Sequence, residues 1–242
     1  MAALLSVEGL RKSYGAVVVA DATTFDVAEG EALGILGPNG AGKTSLFNLI
    51  TGTVQADGGR ITFAGKDITK NSAAERCRDG IARSFQIPQP FGGMTVFENA
   101  LVGATQGAKL DGTTAEHHAL TVLEETGLAA KSNVRASTLT LLERKRLELA
   151  RALSAKPKLL LLDEIAGGLT DAECTALINT IKRVHSGGTT IVWIEHVVHA
   201  LLAVVERLIV IDFGKKIAEG PPDEIMESAE VKEIYLGVDP DV

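Results

Sequence analysis

A glycine-rich stretch that ends in lysine and threonine carries the spacing that points most directly to chemistry. Residues 37–44 are Gly-Pro-Asn-Gly-Ala-Gly-Lys-Thr, which fits the pattern GxxxxGK[ST]. An apolar run at 33–36 precedes it and a helical pattern follows, as the pattern requires. Glycines let backbone N–H groups converge on a phosphate, Lys43 adds positive charge, and the Thr44 hydroxyl can bind Mg²⁺. The stretch therefore predicts a nucleotide-phosphate site; the alternative is a glycine-rich turn with a surface lysine.

Two adjacent carboxylates, Asp163 and Glu164, follow the buried apolar run 159–162. Successive side chains of a strand point to opposite faces, so the two groups can act differently. Asp163 suits the shell of a metal ion, and Glu164 can accept a proton from an attacking water in phosphoryl transfer. The alternative is that both merely cap the next helix.

These motifs together resemble those of the ATP-binding subunit of an ATP-binding cassette (ABC) transporter, over essentially the whole chain. Three further residues match that family in order. Tyr14 resembles the aromatic residue that stacks on adenine, although it could instead pack in the core. Gln86 resembles the glutamine that reaches the metal and the attacking water and senses the membrane partner. His196 resembles the histidine that contacts the γ-phosphate, although a histidine after an apolar strand can also be structural.

The resemblance implies ATP and Mg²⁺ as cofactors, with a definite set of contacts. Expected nucleotide contacts are Tyr14, Gly37, Pro38, Asn39, Gly40, Ala41, Gly42, Lys43, Thr44, Ser45 and Gln86. Expected metal ligands are Thr44, Gln86 and Asp163, and expected catalytic residues are Glu164 and His196.

The elements that must position these residues are those of an α/β protein. Apolar runs at 33–36, 159–162, 189–194 and 208–211 predict buried parallel strands. The N-terminal segments predict an antiparallel sheet, with a turn at residues 57–59. Helical patterns replace strand signals farther along the chain. We therefore expect a P-loop NTPase core, a mostly parallel sheet with flanking helices, that also carries an N-terminal antiparallel β-subdomain and an inserted helical subdomain. The expected boundaries are 1–86 and 157–242 for the core and 87–156 for the helical subdomain.

Composition narrows the function classes. The chain has 242 residues and a net charge of −7, which argues against nucleic acid as a partner. Its 45% hydrophobic and 23% charged residues are typical of a compact protein. Two distant cysteines suggest neither a disulfide framework nor a zinc site and favour a reducing cytosol. No secretory signal is apparent, and charges interrupt the most apolar region, 191–211, so any membrane function is expected to act through a partner.

The family resemblance also implies a function: ATP hydrolysis that powers membrane import of a small solute. The segments MTVFENALVGA and RLELARAL and the ending IYLG look like cassettes for branched-chain amino acids, although cassettes for urea, amides or other solutes share such features. Implied partners are membrane permease subunits and a second ABC ATPase subunit, identical or different. The implied location is cytoplasmic, peripheral on the inner face of the cell membrane. The alternatives are a nucleotide-gated regulatory subunit with little turnover and a non-transport ABC protein.

The sequence departs from the family at its signature motif, LSGGQ, which in the ABC dimer faces the partner's ATP. Residues 139–143 are Leu-Thr-Leu-Leu-Glu, so leucines replace both glycines and Glu143 replaces the glutamine. Leucine cannot approach a phosphate as glycine does. The alternative interpretation is a capping box between Thr140 and Glu143. We hypothesise a heterodimer with two unequal sites. Ile165 and Thr170 also depart from the usual proline and from the Asp or Asn of the family.

Overall fold

The structure, a computed structural model, describes the backbone of residues 3–236 and the side chains as far as Glu233. The ending IYLG therefore lies outside the described side chains. Two compact units are present: the residues up to Ser72 together with those from Thr190 onward, and Ala73–Thr189. The predicted helical subdomain, 87–156, lies within the second unit, and its boundaries remain a prediction.

The strands along residues 3–236 are β1 (Ala3–Tyr14), β2 (Val17–Ala28), β3 (Ala32–Leu36), β4 (Gly58–Phe63), β5 (Lys66–Asp67), β6 (Ile81–Ser84), β7 (Leu159–Asp163), β8 (Thr190–Ile194), β9 (Arg207–Asp212) and β10 (Lys215–Gly220). The α-helices are α1 (Lys43–Thr51), α2 (Ala73–Asp79), α3 (Val96–Val102), α4 (Gly112–Glu125), α5 (Leu141–Ser154), α6 (Asp171–Ser186), α7 (Val198–Leu202), α8 (Pro222–Glu227) and α9 (Ala229–Leu236).

The first unit contains two groups of strands. An antiparallel sheet has the order β2-β1-β4-β5, which confirms the predicted N-terminal sheet. In the other group β3 pairs in parallel with β8 and β9, and β10 pairs antiparallel with β9. Every residue of β3 and β8 is buried, as their continuous apolar runs predict.

The predicted turn at residues 57–59 was misplaced. Gly58 begins β4, and the Asp57 carboxylate accepts hydrogen bonds from Lys12 Nζ (2.7 Å) and from the Ser13 N–H (2.8 Å). The hairpin turn lies instead between β4 and β5, where Ala64 and its glycine neighbour both have positive φ (48° and 76°). Two such residues in succession are typical of the tight turns that match strand twist.

The second unit pairs β6 with β7 in parallel and surrounds them with helices. Between residues 87 and 156 the described elements are helical, as predicted: α3, α4, α5 and short irregular helices. One of these is a π-helical turn, Gly103–Gly107, that directly continues α3. A Cβ at Gly103 would lie 2.5 Å from the Arg151 carbonyl oxygen, and one at Gly107 would lie 2.6 Å from the Ala155 Cβ. The two glycines therefore let the π-helical turn pack closely against the end of α5.

Candidate functional site

The loop after β3 needs glycine at defined places. Gly37 and Gly42 have φ of 156° and 100°, in the region that favours glycine. A Cβ would meet the Ile211 carbonyl oxygen at 2.1 Å in the first case and the Val19 carbonyl oxygen at 2.3 Å in the second. Gly40 also has positive φ (84°), but its Cβ would point into open space. The backbone of the loop can therefore follow this path only without side chains at two of its glycines.

Lys43 is the first residue of α1 and lies across the same loop. Its Nζ donates to the carbonyl oxygens of Gly37 (2.6 Å) and Pro38 (2.8 Å), and the residue is only 5% exposed. The interpretation as a turn with a surface lysine is therefore wrong. Since Nζ rests on carbonyl oxygens of the loop, its charge is held where a phosphate bound by the loop would lie.

The start of α1 is open to an anion. Gly42 precedes the helix and offers no side-chain cap, and no acidic residue lies in the first turn. The first N–H groups of a helix lack intrahelical partners and carry partial positive charge. Thr44 is exposed and Ser45 is half-buried. These features suit a phosphate group bound at the helix N-terminus.

Three of the predicted site residues, Gln86, Asp163 and Glu164, take part in two side-chain hydrogen bonds within the second unit. Gln86 Nε2 donates to Glu164 Oε2. Asp163, which is buried at the end of β7, accepts from Arg83 Nη2 at 2.5 Å. The Arg83 guanidinium also lies 4.8 Å from the ring centroid of Phe85. Arg83 was missed by the sequence analysis, because no local signal marks a pairing between residues 80 positions apart.

Glu164 has an unusual backbone conformation. Its φ is +48°, which costs a residue with a Cβ roughly 1–2 kcal/mol. Such strain persists only where the surroundings fix it and is frequent at functional sites. The next helix, α6, begins seven residues later and is capped by Thr170 and Glu173, so the interpretation of Asp163 and Glu164 as helix caps is wrong. Thr170, which departs from the family pattern, has a structural explanation as this cap.

Two further predicted site residues, His196 and Tyr14, lie in the first unit. His196 is exposed and is the second residue after β8, and its N–H and that of Val197 donate to Oε1 of the buried Glu195 (2.9 and 3.3 Å). Glu195, which the sequence analysis did not select, thereby fixes the backbone that carries His196. The sequence feature that could have identified Glu195 is a carboxylate at the end of an apolar run. Tyr14 is half exposed at the end of β1, and the Lys12 Nζ lies 5.4 Å from its ring.

The segment that matches the signature motif forms the predicted capping box. Thr140 precedes α5, its Oγ1 accepts from the Glu143 N–H (3.4 Å), and Glu143 Oε2 accepts from the Thr140 N–H (3.0 Å). Lys131 Nζ also donates to Glu143, and this contact, together with the Thr140 N–H, lowers the pKa of that carboxyl below its usual value. Leu141 is 48% exposed at the first helical position.

The comparisons with known proteins identify the family. A family model described as ABC transporter matches residues 20–167, and the model of the branched-chain amino acid ATP-binding cassette transporter matches residues 215–241. The chain belongs to the ABC transporter family. It is therefore an ATP-binding cassette, an ATPase whose family uses nucleotide hydrolysis to drive transport.

Curated relatives of this cassette match along almost their whole length. The high-affinity branched-chain amino acid transport ATP-binding protein LivG of Salmonella typhimurium is 34% identical, over 97% of this chain and 98% of its own. BraF of Pseudomonas aeruginosa, with the same description, is 32% identical over 97% and 98%. LptB of Acidithiobacillus ferridurans, described as a lipopolysaccharide export ATP-binding protein, is 33% identical over 98% of both chains. Overall sequence identity therefore does not distinguish an amino acid transporter from a lipopolysaccharide exporter as the relative of this chain.

Solved structures confirm the predicted fold of the ABC cassette. A nucleotide-free ATP-binding cassette from an ABC transporter matches with a TM-score of 0.88 and 31% identity, over 98% of this chain and 100% of that one. The ADP conformation of an ABC transporter cassette matches with a TM-score of 0.88 and 32% identity, over the same shares. In the part of this cassette that the structure describes, no helix has both the length and the apolarity to cross a membrane.

Proposed function

We propose that this cassette is the ATP-hydrolysing subunit of an importer of branched-chain amino acids. The main support for this substrate is the match of residues 215–241 to the family of branched-chain amino acid cassettes. Overall identity does not decide the substrate, because LptB is as similar to this chain as BraF is. The names of LivG and BraF support the same substrate class. The proposed location is peripheral, on the cytoplasmic face of the membrane.

The contacts within each unit support a division of the chemistry. The glycine-rich loop and the start of α1 bind the phosphates, and Lys43 offsets their charge. Glu164 accepts the proton of the attacking water, and the amide of Gln86, bonded to its carboxylate, holds that carboxylate in place. Phosphoryl transfer depends mainly on such positioning and on charge stabilisation.

A magnesium ion fits the chemistry of the residues that the sequence selects for it. Mg²⁺ commonly uses one or two carboxylates, together with substrate phosphates and water, rather than a cage of protein ligands. The buried Asp163 carboxylate is oriented by Arg83, as carboxylates near metal ions commonly are by an outer hydrogen bond. We assign Thr44, Gln86 and Asp163 to this ion, which when bound would neutralise phosphate charge.

Four exposed apolar side chains next to Gln86 support a membrane partner. They belong to the second unit and follow β6: Phe85, Ile87, Phe91 and Met94. Exposed apolar residues concentrated in one segment are typical of interaction surfaces, and this segment also carries the glutamine that contacts Glu164. We assign the surface to a cytoplasmic helix of a permease subunit, so that the occupancy of the ATP site and the permease act on one segment.

The altered signature segment favours a second, different cassette as partner. Both N–H groups of the Thr140–Glu143 box are satisfied within the chain, and leucines occupy the first two positions of α5. The segment therefore has little capacity to enclose a nucleotide held by another subunit. We propose a heterodimer in which this chain keeps its own hydrolytic site and supplies an impaired contact to the partner's ATP.

Substitution of the proposed base tests the ATPase assignment. In Glu164→Gln we expect turnover of the cassette to fall roughly 10²–10⁴-fold while Mg-ATP still binds, because the amide keeps the shape but cannot accept the proton. The measurements are phosphate release and equilibrium binding of a fluorescent ATP analogue. Glu173→Gln, which alters an exposed helix cap, is the control.

The outcomes separate the competing functions. Equal turnover in the wild type and Glu164→Gln would favour a regulatory subunit that binds ATP without useful hydrolysis. Failure of the purified chain to bind Mg-ATP would contradict the proposed function altogether. For the substrate, co-purification with membrane subunits, followed by an ATPase assay with and without leucine, isoleucine and valine, should show stimulation by these amino acids.

A further inference from the structure

The segment 85–94 links β6 to α3 and contains two prolines near its middle. Gln89 lies between Pro88 and Pro90. Proline has no N–H, and the residue before a proline is restricted to extended conformations. Of these three residues, therefore, Gln89 alone can donate a hydrogen bond from its main chain. Its extended backbone leaves both its N–H and its C=O available to other parts of the chain.

Both main-chain groups of Gln89 are bound by one turn of α5. Its N–H donates to Glu148 Oε1 (2.8 Å), and Arg151 Nη1 donates to its carbonyl oxygen (2.9 Å). Arg151 Nη2 also donates to both carboxylate oxygens of Glu148 (2.9 and 2.7 Å). The same guanidinium lies 5.5 Å from the ring centroid of Phe91. Glu148 and Arg151 thus hold the segment at a defined place along α5.

Glu148 is only 1% exposed, so its carboxylate depends on Arg151 to balance its charge. The two residues therefore act as a unit. Burial raises the pKa of Glu148, while Arg151 and the Gln89 N–H oppose that shift. A buried ion pair adds little stability, but removal of one partner leaves an uncompensated buried charge. The pair is therefore better suited to fixing a position than to stabilising the fold.

The segment is also attached at two neighbouring points. Three residues before Gln89, Gln86 contacts the Glu164 carboxylate. Two residues after it, the Phe91 N–H and C=O are both bonded to the fully buried Asn99 of α3 (2.8 and 3.2 Å). Ile87, which is 70% exposed, lies between the contact with Glu164 and the attachment to α5.

We propose that Glu148 and Arg151 are positioning residues that anchor Gln89 to α5, so that a nucleotide-dependent change at the Gln86–Glu164 contact is expressed as displacement of Ile87 on the permease-facing surface. The inference rests on the proposed function. With Gln89 fixed, movement of Gln86 must be absorbed by the short stretch between the two glutamines. Without the anchor the whole segment would relax, and the surface would respond less.

Hydrogen–deuterium exchange of the full chain, with and without Mg²⁺ and the slowly hydrolysed analogue ATPγS, tests this inference. In the wild type we expect the nucleotide to change the exchange of peptides that cover 85–94. In Arg151→Ala we expect the Gln89 amide to exchange at least about 10-fold faster without nucleotide, since its acceptor is no longer held. We also expect the response of residues 85–87 to the nucleotide to be lost. Arg151→Lys, which keeps the charge, should restore part of it.

Arg183→Ala is the matched control, because Arg183 Nη2 also donates to a main-chain carbonyl oxygen, that of Glu125 (3.1 Å), in the same unit. It should leave exchange of 85–94 unchanged. Should Arg151→Ala fail to fold, Glu148→Gln serves instead, with a weakened response expected. The proposed anchor would be refuted if the folded variants kept the full nucleotide response, or if Arg183→Ala lost it to the same extent. It would also be refuted if a wild type that binds nucleotide showed no response. Absence of nucleotide binding in the wild type would instead refute the proposed function.

Discussion

The phosphate loop and the segment 139–143 both lead into a helix, but the two helices begin in opposite ways. At α1, Gly42 provides no side-chain cap and the first turn contains no acid. At α5, a complete box between Thr140 and Glu143 satisfies the N–H groups of these two residues. An uncapped helix start can bind an external anion, whereas a capped one already has its acceptors. The leucines are therefore only part of the change at 139–143, because two N–H groups at this helix start already have acceptors within the chain.

The largest expected effect is at the open helix start. Gly42→Ala places a Cβ 2.3 Å from the Val19 carbonyl oxygen at φ 100°, so we expect about 3 kcal/mol less stability and at least about 100-fold weaker ATP binding. Urea unfolding and equilibrium binding measure the two. Gly40→Ala has the same sign of φ but open space around its Cβ, and it should cost only about 1 kcal/mol. Equal effects of the two substitutions would contradict the close fit of the loop.

A smaller effect is expected when glycine is restored to the occupied helix start. In the assembled heterodimer, Leu141→Gly combined with Leu142→Gly should raise ATP turnover about threefold, equivalent to less than 1 kcal/mol of barrier, because the backbone regains access to the partner's nucleotide. The glycines should also cost α5 about 1 kcal/mol of stability. Leu120→Gly, at a similarly exposed leucine of α4, is the control. Unchanged or lower turnover would contradict the hypothesis of unequal sites.

The smallest effect concerns the charge of the box. The Lys131 and Thr140 contacts lower the pKa of Glu143 in the folded state, so its carboxylate stabilises the fold above about pH 4.3, the value for an unfolded glutamate. This contribution is lost as the pH falls through the lowered folded pKa. Glu143→Gln should therefore be less stable than the wild type at pH 7, by under about 1 kcal/mol because the group is near the surface, and equally stable in acid. Urea unfolding at several pH values measures the difference; a gap that widens in acid would reverse the assignment.

The sequence was sufficient where a signal is local. The loop 37–44 could be predicted because the glycine spacing, the preceding strand and the following helix are contiguous, and the apolar runs of β3 and β8 predicted their burial. The capping box at Thr140 is likewise a four-residue pattern. Local signals can also mislead: the Asp-Gly-Gly at 57–59 suggested a turn, but Asp57 pairs with Lys12 at 2.7 Å instead.

The remainder depended on contacts between distant residues. Arg83 pairs with Asp163 across 80 positions, and Glu148 binds the Gln89 N–H across 59. Neither arginine nor glutamate is unusual in its own segment, so no periodicity or spacing reveals these partners. The boundaries predicted for the helical subdomain and the assignments of the site residues remain predictions, because they concern ligands and division of the chain rather than local structure.

The close packing of Gly103 and Gly107 against the end of α5 fixes how α5 can be displaced. The Arg151 carbonyl oxygen lies 2.5 Å from where a Cβ of Gly103 would lie, so the two backbones meet there with no side chain between them. We therefore expect α3, the π-helical turn and α5 to move as one rigid piece, which keeps this contact. The two small residues thus set the register of the helix that carries Arg151, and a methyl group at either position would shift the guanidinium along with the helix.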